Sequence, residues 1–167
     1  GLWYSSDGKF LATPGGGTVK LWEVATGQLV RIFPGFHAAF APTGELIACQ
    51  LVTTKDEPKV GRVELYRLQD GSPVKTLTSE PAKASSWLTS LCFSPDGQLL
   101  AATDWNGTVT LWDVSSGQRR QTFQEHQAGV LAVAFSPDGT RLATGSEDKT
   151  LRVRKLAVER IGPAGEK

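Results

Sequence analysis

His126, Asp148 and either Ser146 or Thr144 are the residue types that a nucleophilic triad combines. A hydroxyl would attack, an imidazole would take its proton, and a carboxylate would orient the ring. Little else in the chain adds to that chemistry. The second histidine, His37, lies in the strand-like stretch FHAAF, and one histidine with scattered carboxylates makes no metal-ligand set. Gly15-Gly16-Gly17-Thr18 lacks the lysine and the spacing of a phosphate loop and reads as a tight turn. Asn106-Gly107-Thr108 is formally a glycosylation sequon, but Asn-Gly is also a strong hairpin signal, and the turn reading is preferred. Cys49 and Cys92 sit in apolar, strand-like runs and are expected as buried free thiols. No catalytic set, metal or cofactor is expected.

Bulk properties narrow the partner classes. The 167 residues suffice for one domain with a sizeable core, and 40% hydrophobic with 21% charged residues is ordinary for a globular chain. A formal net charge of +1 supplies no global field toward nucleic acid or an anionic membrane, so neither is expected as a partner. No apolar run approaches the ~18 residues of a membrane span. The opening GLWYSSDG enters directly on a strand pattern, with neither an initiator Met nor a signal-like segment. A piece of something longer, in a reducing and cytoplasmic setting, is the expectation.

The elements that must position these residues repeat. Four corners, Ser5-Ser6-Asp7-Gly8, Ala41-Pro42-Thr43-Gly44, Ser94-Pro95-Asp96-Gly97 and Ser136-Pro137-Asp138-Gly139, each follow an aromatic residue (Tyr4, Phe40, Phe93, Phe135) and precede a short apolar strand. Proline presets φ and glycine supplies positive φ, so each corner predicts a hairpin connection. A third strand then aligns as TVKLWEV, GRVELYRL, TVTLWDV and TLRVRKL. Val19, Val63, Val109 and Leu151 share a position, and Leu21, Leu65, Leu111 and Val153 lie two further on, on the same strand face. Trp22, Tyr66, Trp112 and Arg154 follow on the opposite face. Apolar character on both faces predicts strands sandwiched between neighbouring sheets. A fourth strand ends each of the first three copies, and residues 158–161 are the one stretch able to supply it in the last. Segments 53–59 and 79–86 read as inserted surface loops.

Positions 22, 66, 112 and 154 recur near the ~40–45-residue period of four-stranded propeller blades. Phe93-Ser94-Pro95-Asp96-Gly97 with Leu111-Trp112-Asp113-Val114, and Phe135-Ser136-Pro137-Asp138-Gly139 with Ser146-Glu147-Asp148-Lys149-Thr150, make the chain resemble a WD-repeat β-propeller over residues 2–161. The resemblance implies an all-β fold of four blades, each of four antiparallel strands, at about 1–33, 34–78, 79–123 and 124–161, with 162–167 a frayed tail. It also implies that Trp22, Tyr66, Trp112, His126 and Asp148 are structural, the histidine and turn aspartate hydrogen-bonding within a blade. The family pattern is incomplete in each copy. Its Gly-His dipeptide survives as Glu125-His126, and its Trp-Asp pair is Trp22-Glu23, Tyr66-Arg67 and Arg154-Lys155 outside the third copy.

Function is then expected where side chains depart from what stacking requires. Trp105 stands at a turn tip where the fourth copy has Glu147, and Trp87 aligns with Gly129. In the family both kinds of position face one rim, the usual partner surface, and aromatics there are typical hot spots. Trp105, Trp87, Phe36 and Glu147 are the candidate partner-binding residues, with Trp87 packed beneath its own inserted loop as the alternative for that residue. The expected role is a non-enzymatic scaffold for a protein or peptide. A regulatory or sensor domain of a larger signalling protein, such as one attached to a kinase, is the alternative, and a propeller hydrolase comes behind both. Four blades in a row leave two raw faces, which could be hidden by closure as a four-bladed ring, by further blades of a larger ring, or by a second copy placed head-to-tail in an eight-bladed ring. A longer parent, with this piece alone pairing as eight blades, is the expectation.

Overall fold

The computed structural model describes residues 1–51, 61–79 and 87–156. The expected strand at 158–161, the tail, and the inserted loops apart from Ser79 lie outside the described residues. Fifteen strands and no helix occur among the described residues, arranged as four antiparallel sheets in chain order. The first holds β1 (Trp3–Tyr4), β2 (Phe10–Gly15), β3 (Thr18–Glu23) and β4 (Leu29–Pro34). The second holds β5 (Ala38–Phe40), β6 (Leu46–Gln50), β7 (Arg62–Arg67) and β8 (Pro73–Thr78). The third holds β9 (Leu88–Phe93), β10 (Leu99–Asp104), β11 (Thr108–Asp113) and β12 (Arg119–Gln124). The fourth shows β13 (Val130–Phe135), β14 (Arg141–Ser146) and β15 (Leu151–Lys155). Neighbours in each sheet are neighbours in sequence, and the leading strands lie side by side, β1 against β5, β5 against β9 and β9 against β13.

The corners work as their residue types dictate. Ser94 donates its hydroxyl to Asp96 Oδ1 at 2.5 Å and accepts the Leu99 amide at 2.9 Å, while Asp96 Oδ1 takes the Gln98 amide at 3.0 Å. Gly97, at φ 72°, supplies the left-handed residue that closes the turn. The serine–aspartate bond recurs in the first and last corners, Ser5 to Asp7 and Ser136 to Asp138. The second corner has threonine in place of the aspartate and closes through backbone bonds alone, Gly44 to Ala41 and Ala41 to Leu46.

Packing between blades follows from the strand pleat. Val19 and Leu21, Val63 and Leu65, and Val109 and Leu111 face the next blade in sequence and are all between 0% and 3% exposed. Three core clusters result, one per interface. Ala12, Val19, Leu21 and Phe33 meet Ala38, Ile47 and Cys49. Ala48, Val63, Leu65 and Leu77 meet Phe93, Leu100, Ala102 and Trp112. Ala101, Val109 and Leu111 meet Val133 and Leu142. Each such side chain contributes about 1.5–3 kcal/mol when removed from water. The fourth blade carries the same pattern, and no blade follows it among the described residues. Leu151 and Val153 are therefore 71% and 56% exposed.

The opposite face shows how each blade anchors the residue after its leucine. Trp112 is fully buried, and its Nε1–H donates to the Thr78 carbonyl of the preceding blade at 3.2 Å. Trp22 donates instead to Thr13 Oγ1 in its own blade at 2.9 Å, and Tyr66 packs on Phe33 with ring centroids 4.8 Å apart. Arg154 solves the problem differently. Its guanidinium stacks 4.4 Å from the Phe123 ring centre, and its Nε and Nη2 donate to Glu125 Oε2 at 2.9 and 2.8 Å. The two departures from the family pattern, Glu125 and Arg154, thus compensate each other.

Two outcomes follow for stability. The Ser5 hydroxyl, then the Lys9 amide, hold the Asp7 carboxyl at about 2, and the Ser136 hydroxyl, then Thr140, hold Asp138 at about 2, against an ordinary 3.8. Folded-state values below the unfolded ones mean that this stabilisation is fully present above about pH 4 and is lost as pH falls through about 2. Urea midpoints should be flat from neutrality down to about pH 5 and fall below about pH 4, and Asp138→Asn should shrink that fall. In the Glu125–Arg154 pair, the Glu125 side chain is 7% exposed and the Arg154 side chain 40%. Arg154→Met strands a buried carboxylate and should cost about 2–4 kcal/mol, whereas Glu125→Gln leaves an arginine that reaches water and should cost about 1–2. Urea denaturation of both variants checks the order.

Candidate functional site

The rim opposite the corners is built by the turns between second and third strands and by the chain entering each leading strand. In the third blade, Asp104 Oδ1 accepts the amides of Asn106 at 2.9 Å and Thr108 at 2.8 Å, which locks the β10–β11 turn and presents Trp105 at its tip. Gly107, at φ 83°, permits this turn to pass under the next loop, since a Cβ there would collide with the His126 carbonyl. The Trp105 amide donates to the Trp87 carbonyl at 3.2 Å, so the two tryptophans are coupled through backbone. Both are 49% exposed.

These aromatics form a row across blade boundaries. Phe36, half-buried at the entrance to β5, lies against Trp87 with ring centroids 6.0 Å apart. On the other side, the Cε3–Cζ3 edge of Trp105 stands against Gly129, where a Cβ would come within 2.5 Å of Cε3 and 3.4 Å of Glu147 Oε2. Trp105 therefore packs against the backbone of the next blade. Gly129 belongs to the rim through the space that it leaves. Its one signal in the sequence was a glycine at the position Trp87 holds one repeat earlier. Because 80–86 lie outside the described residues, the contact seen for Trp87 is the one with Phe36 rather than with its inserted loop.

His126 holds this rim in place. Its Nδ1 faces Asp148 Oδ2 at 2.9 Å and Thr150 Oγ1 at 3.0 Å, and its Nε2 faces Thr144 Oγ1 at 2.8 Å, with the side chain 0% exposed. Asp148 Oδ2 also takes the Gln127 amide at 3.2 Å. The Thr150 hydroxyl is the largest of several bonds that hold the Asp148 carboxyl well below its ordinary range, burial opposing them. Of the two hydroxyls that the sequence offered, Thr144 meets the imidazole, while Ser146 donates to the Ala128 carbonyl at 3.3 Å. Histidine, carboxylate and threonine are thus assembled, but the threonine is buried at 3% exposure and serves the fold. The network ties the loop before β13 to the β14–β15 turn, and so places Gly129 beside Glu147.

The remaining reactive types lie elsewhere. Burial pushes the Cys49 and Cys92 thiols up to about 12, and both are free. His37 precedes β5 by one residue rather than lying within it, and its Nδ1 meets Gln50 Oε1 at 2.8 Å. Among the described residues no three of His, Cys, Asp and Glu are grouped to hold a metal. A cleft of about 700 Å³ opens between the first two blades, lined by Asp7, Lys9, Arg31, Glu45, Arg67 and Leu68 among others. Three of its cations are engaged locally, Lys9 with Asp7 at 3.2 Å, Arg67 with Asp70 at 3.7 Å and Arg31 with the Gln69 carbonyl at 2.8 Å.

Known proteins share this organisation. The model of the WD domain, G-beta repeat, matches residues 1–23, 71–113 and 117–154, more than half of the chain. WD repeat-containing protein 1-B of Xenopus laevis is 37% identical over 98 residues, which cover 58% of this chain and 16% of that protein. WD repeat-containing protein SL1-17 of Schistosoma mansoni is 30% identical over 140 residues, covering 81% and 42% respectively. A chromatin assembly factor 1 subunit from Mus musculus is 37% identical over 71 residues, covering 42% and 12%. The chain spans less than half the length of each of these relatives. With its repeating corners, its stacked four-stranded sheets and its buried histidine–aspartate network, the chain belongs to the WD-repeat family, whose members generally serve as protein-interaction scaffolds.

Proposed function

We propose that the chain is a non-enzymatic scaffold that binds a protein or peptide through the rim formed by Phe36, Trp87, Trp105 and Glu147. The observation that carries this reading is the pair of half-exposed tryptophans, joined through backbone, with Trp105 set against Gly129. Stacking has no use for an indole at that tip, and the corresponding tip of the last blade carries a glutamate. Large, rigid aromatics rimmed by polar groups are the side chains that most often dominate a protein interface. The mouse relative, by its name a subunit of an assembly factor, is in keeping with such a role. A cytoplasmic setting belongs to the same proposal and rests on two free thiols, Cys49 buried and Cys92 partly so.

The raw faces need an occupant as well, and we assign it to a second copy. Leu151 and Val153 at one end, and Leu2 and Tyr4 at 67% and 63% exposure at the other, would be covered if two chains met head-to-tail in an eight-bladed ring.

Each part has a direct test. Trp105→Ala should weaken capture of the partner protein at least about tenfold, while costing only about 1 kcal/mol of stability, a shift of ~2–4 °C in Tm. Trp112→Ala, which empties a core site, should instead cost about 3–5 kcal/mol. Unchanged capture by Trp105→Ala would remove the rim from consideration. For assembly, size exclusion with light scattering should give twice the chain mass of 17.9 kDa, and a monomer rules out the paired ring.

A further inference from the structure

Trp105 and Glu147 occupy equivalent tips of neighbouring blades, yet they converge on a single residue. The Trp105 ring and the Glu147 carboxylate both stand over Gly129, at 2.5 and 3.4 Å from where its Cβ would be. Gly129 is buried and is not among the residues at positive φ, so its missing side chain matters for space alone. Half of the indole remains open to solvent, Glu147 is exposed, and no ion pair among the described residues engages its carboxylate. An aromatic face and an unpaired carboxylate side by side present two attractions of one sign.

We infer that the junction of the third and fourth blades binds an arginine side chain projecting from the partner, its guanidinium over Trp105 and hydrogen-bonded to Glu147. This rests on the reading of the rim as the partner surface and adds the chemical class of what is read there. The electron-rich face of an indole attracts a cation more strongly than other aromatic rings do. Glu147 adds charge-assisted hydrogen bonds from the same group. A guanidinium satisfies both at once because it is planar, weakly hydrated and forked, whereas an ammonium is a compact, strongly hydrated point charge. Trp87 and Phe36 continue the apolar floor away from the carboxylate, where the arginine stem and a flanking apolar residue can lie. The His126–Asp148 bond keeps the turn that carries Glu147 from drifting away from the ring.

The test uses two small probes, Nα-acetyl-arginine amide and its neutral near-isostere Nα-acetyl-citrulline amide. Each is titrated into 15N-labelled protein while the indole Nε1–H resonance of Trp105 is followed, assigned by its loss in Trp105→Phe. The arginine probe should shift that resonance saturably, and the citrulline probe should bind at least about fivefold more weakly. Glu147→Gln, an exposed change, should weaken the arginine probe about three- to tenfold and leave the citrulline probe unchanged. Equal binding of the two probes would overturn the inference that charge is read. It would leave the rim reading intact provided that Trp105→Ala still loses the partner. No shift at Trp105 with either probe overturns the inference outright. An arginine-specific shift with unchanged partner capture by Trp105→Ala would instead retire the rim reading while keeping the cation site.

Discussion

Every blade of this chain is a sheet with two faces to hide, and the structure depends on face-to-face burial between neighbours. In the first three blades the valine–leucine pair of the third strand points forward into the next blade, and the aromatic residue that follows points back. Because a strand alternates its side chains strictly, a single slip of register would turn both sets to the wrong neighbour. The corners fix that register. A serine, an aspartate and a left-handed glycine determine where the second strand begins, and the pairing of Leu100 with Trp112 and Ala101 with Leu111 follows from it. Apolar burial supplies the driving force, and a few hydrogen-bonded turns decide which residues receive it.

That arrangement ties the polar network to the apolar stacking. His126 enters from the loop between the third and fourth blades and is satisfied on both ring nitrogens by residues of the fourth. A buried imidazole without those partners would cost about 1–3 kcal/mol for each unpaired group. The loop and the turn are thus fastened to each other whether or not anything is bound. In this blade the tryptophan of the family pattern is an arginine, and the charge thereby introduced is met by Glu125, immediately before the histidine. A departure from pattern at one position required a departure at another, 29 residues away in sequence and adjacent in space.

The fold was legible because its determinants are local and periodic. Pro-Asp-Gly corners, alternation in the third strand and a recurring aromatic all read from the chain in order. The site was legible in part. Alignment of the copies located Trp105, Trp87 and Glu147 as unshared residues, yet it could not show what each touches. Gly129 was invisible as a rim residue because it contributes an absence, noticed only once the indole from another blade is seen standing against it. Thr144 and Ser146 were equivalent candidates in sequence because both lie on one strand, and they separate only when the distance to His126 is known. Position within a repeat can be read from periodicity, but neighbours across repeats depend on how the sheets stack.

The asymmetry of the tips bears on why the third and fourth blades carry the proposed site. Tips of the β2–β3, β10–β11 and β14–β15 turns hold Gly15, Trp105 and Glu147, residues that share a position and nothing else. In the β10–β11 and β14–β15 turns this position lies beyond the last paired residue, whereas Gly15 still pairs with Thr18, and in none of the three does it join a core cluster. A free position drifts toward small or polar residues unless something holds a costly one there. An indole half in water leaves apolar area exposed, and the Cε3–Cζ3 edge of this one stands where any residue but glycine would place a Cβ. The combination of an unnecessary tryptophan with an accommodating glycine requires two positions in different blades to agree. Folding demands neither, and agreement of that kind is what binding at this rim would select.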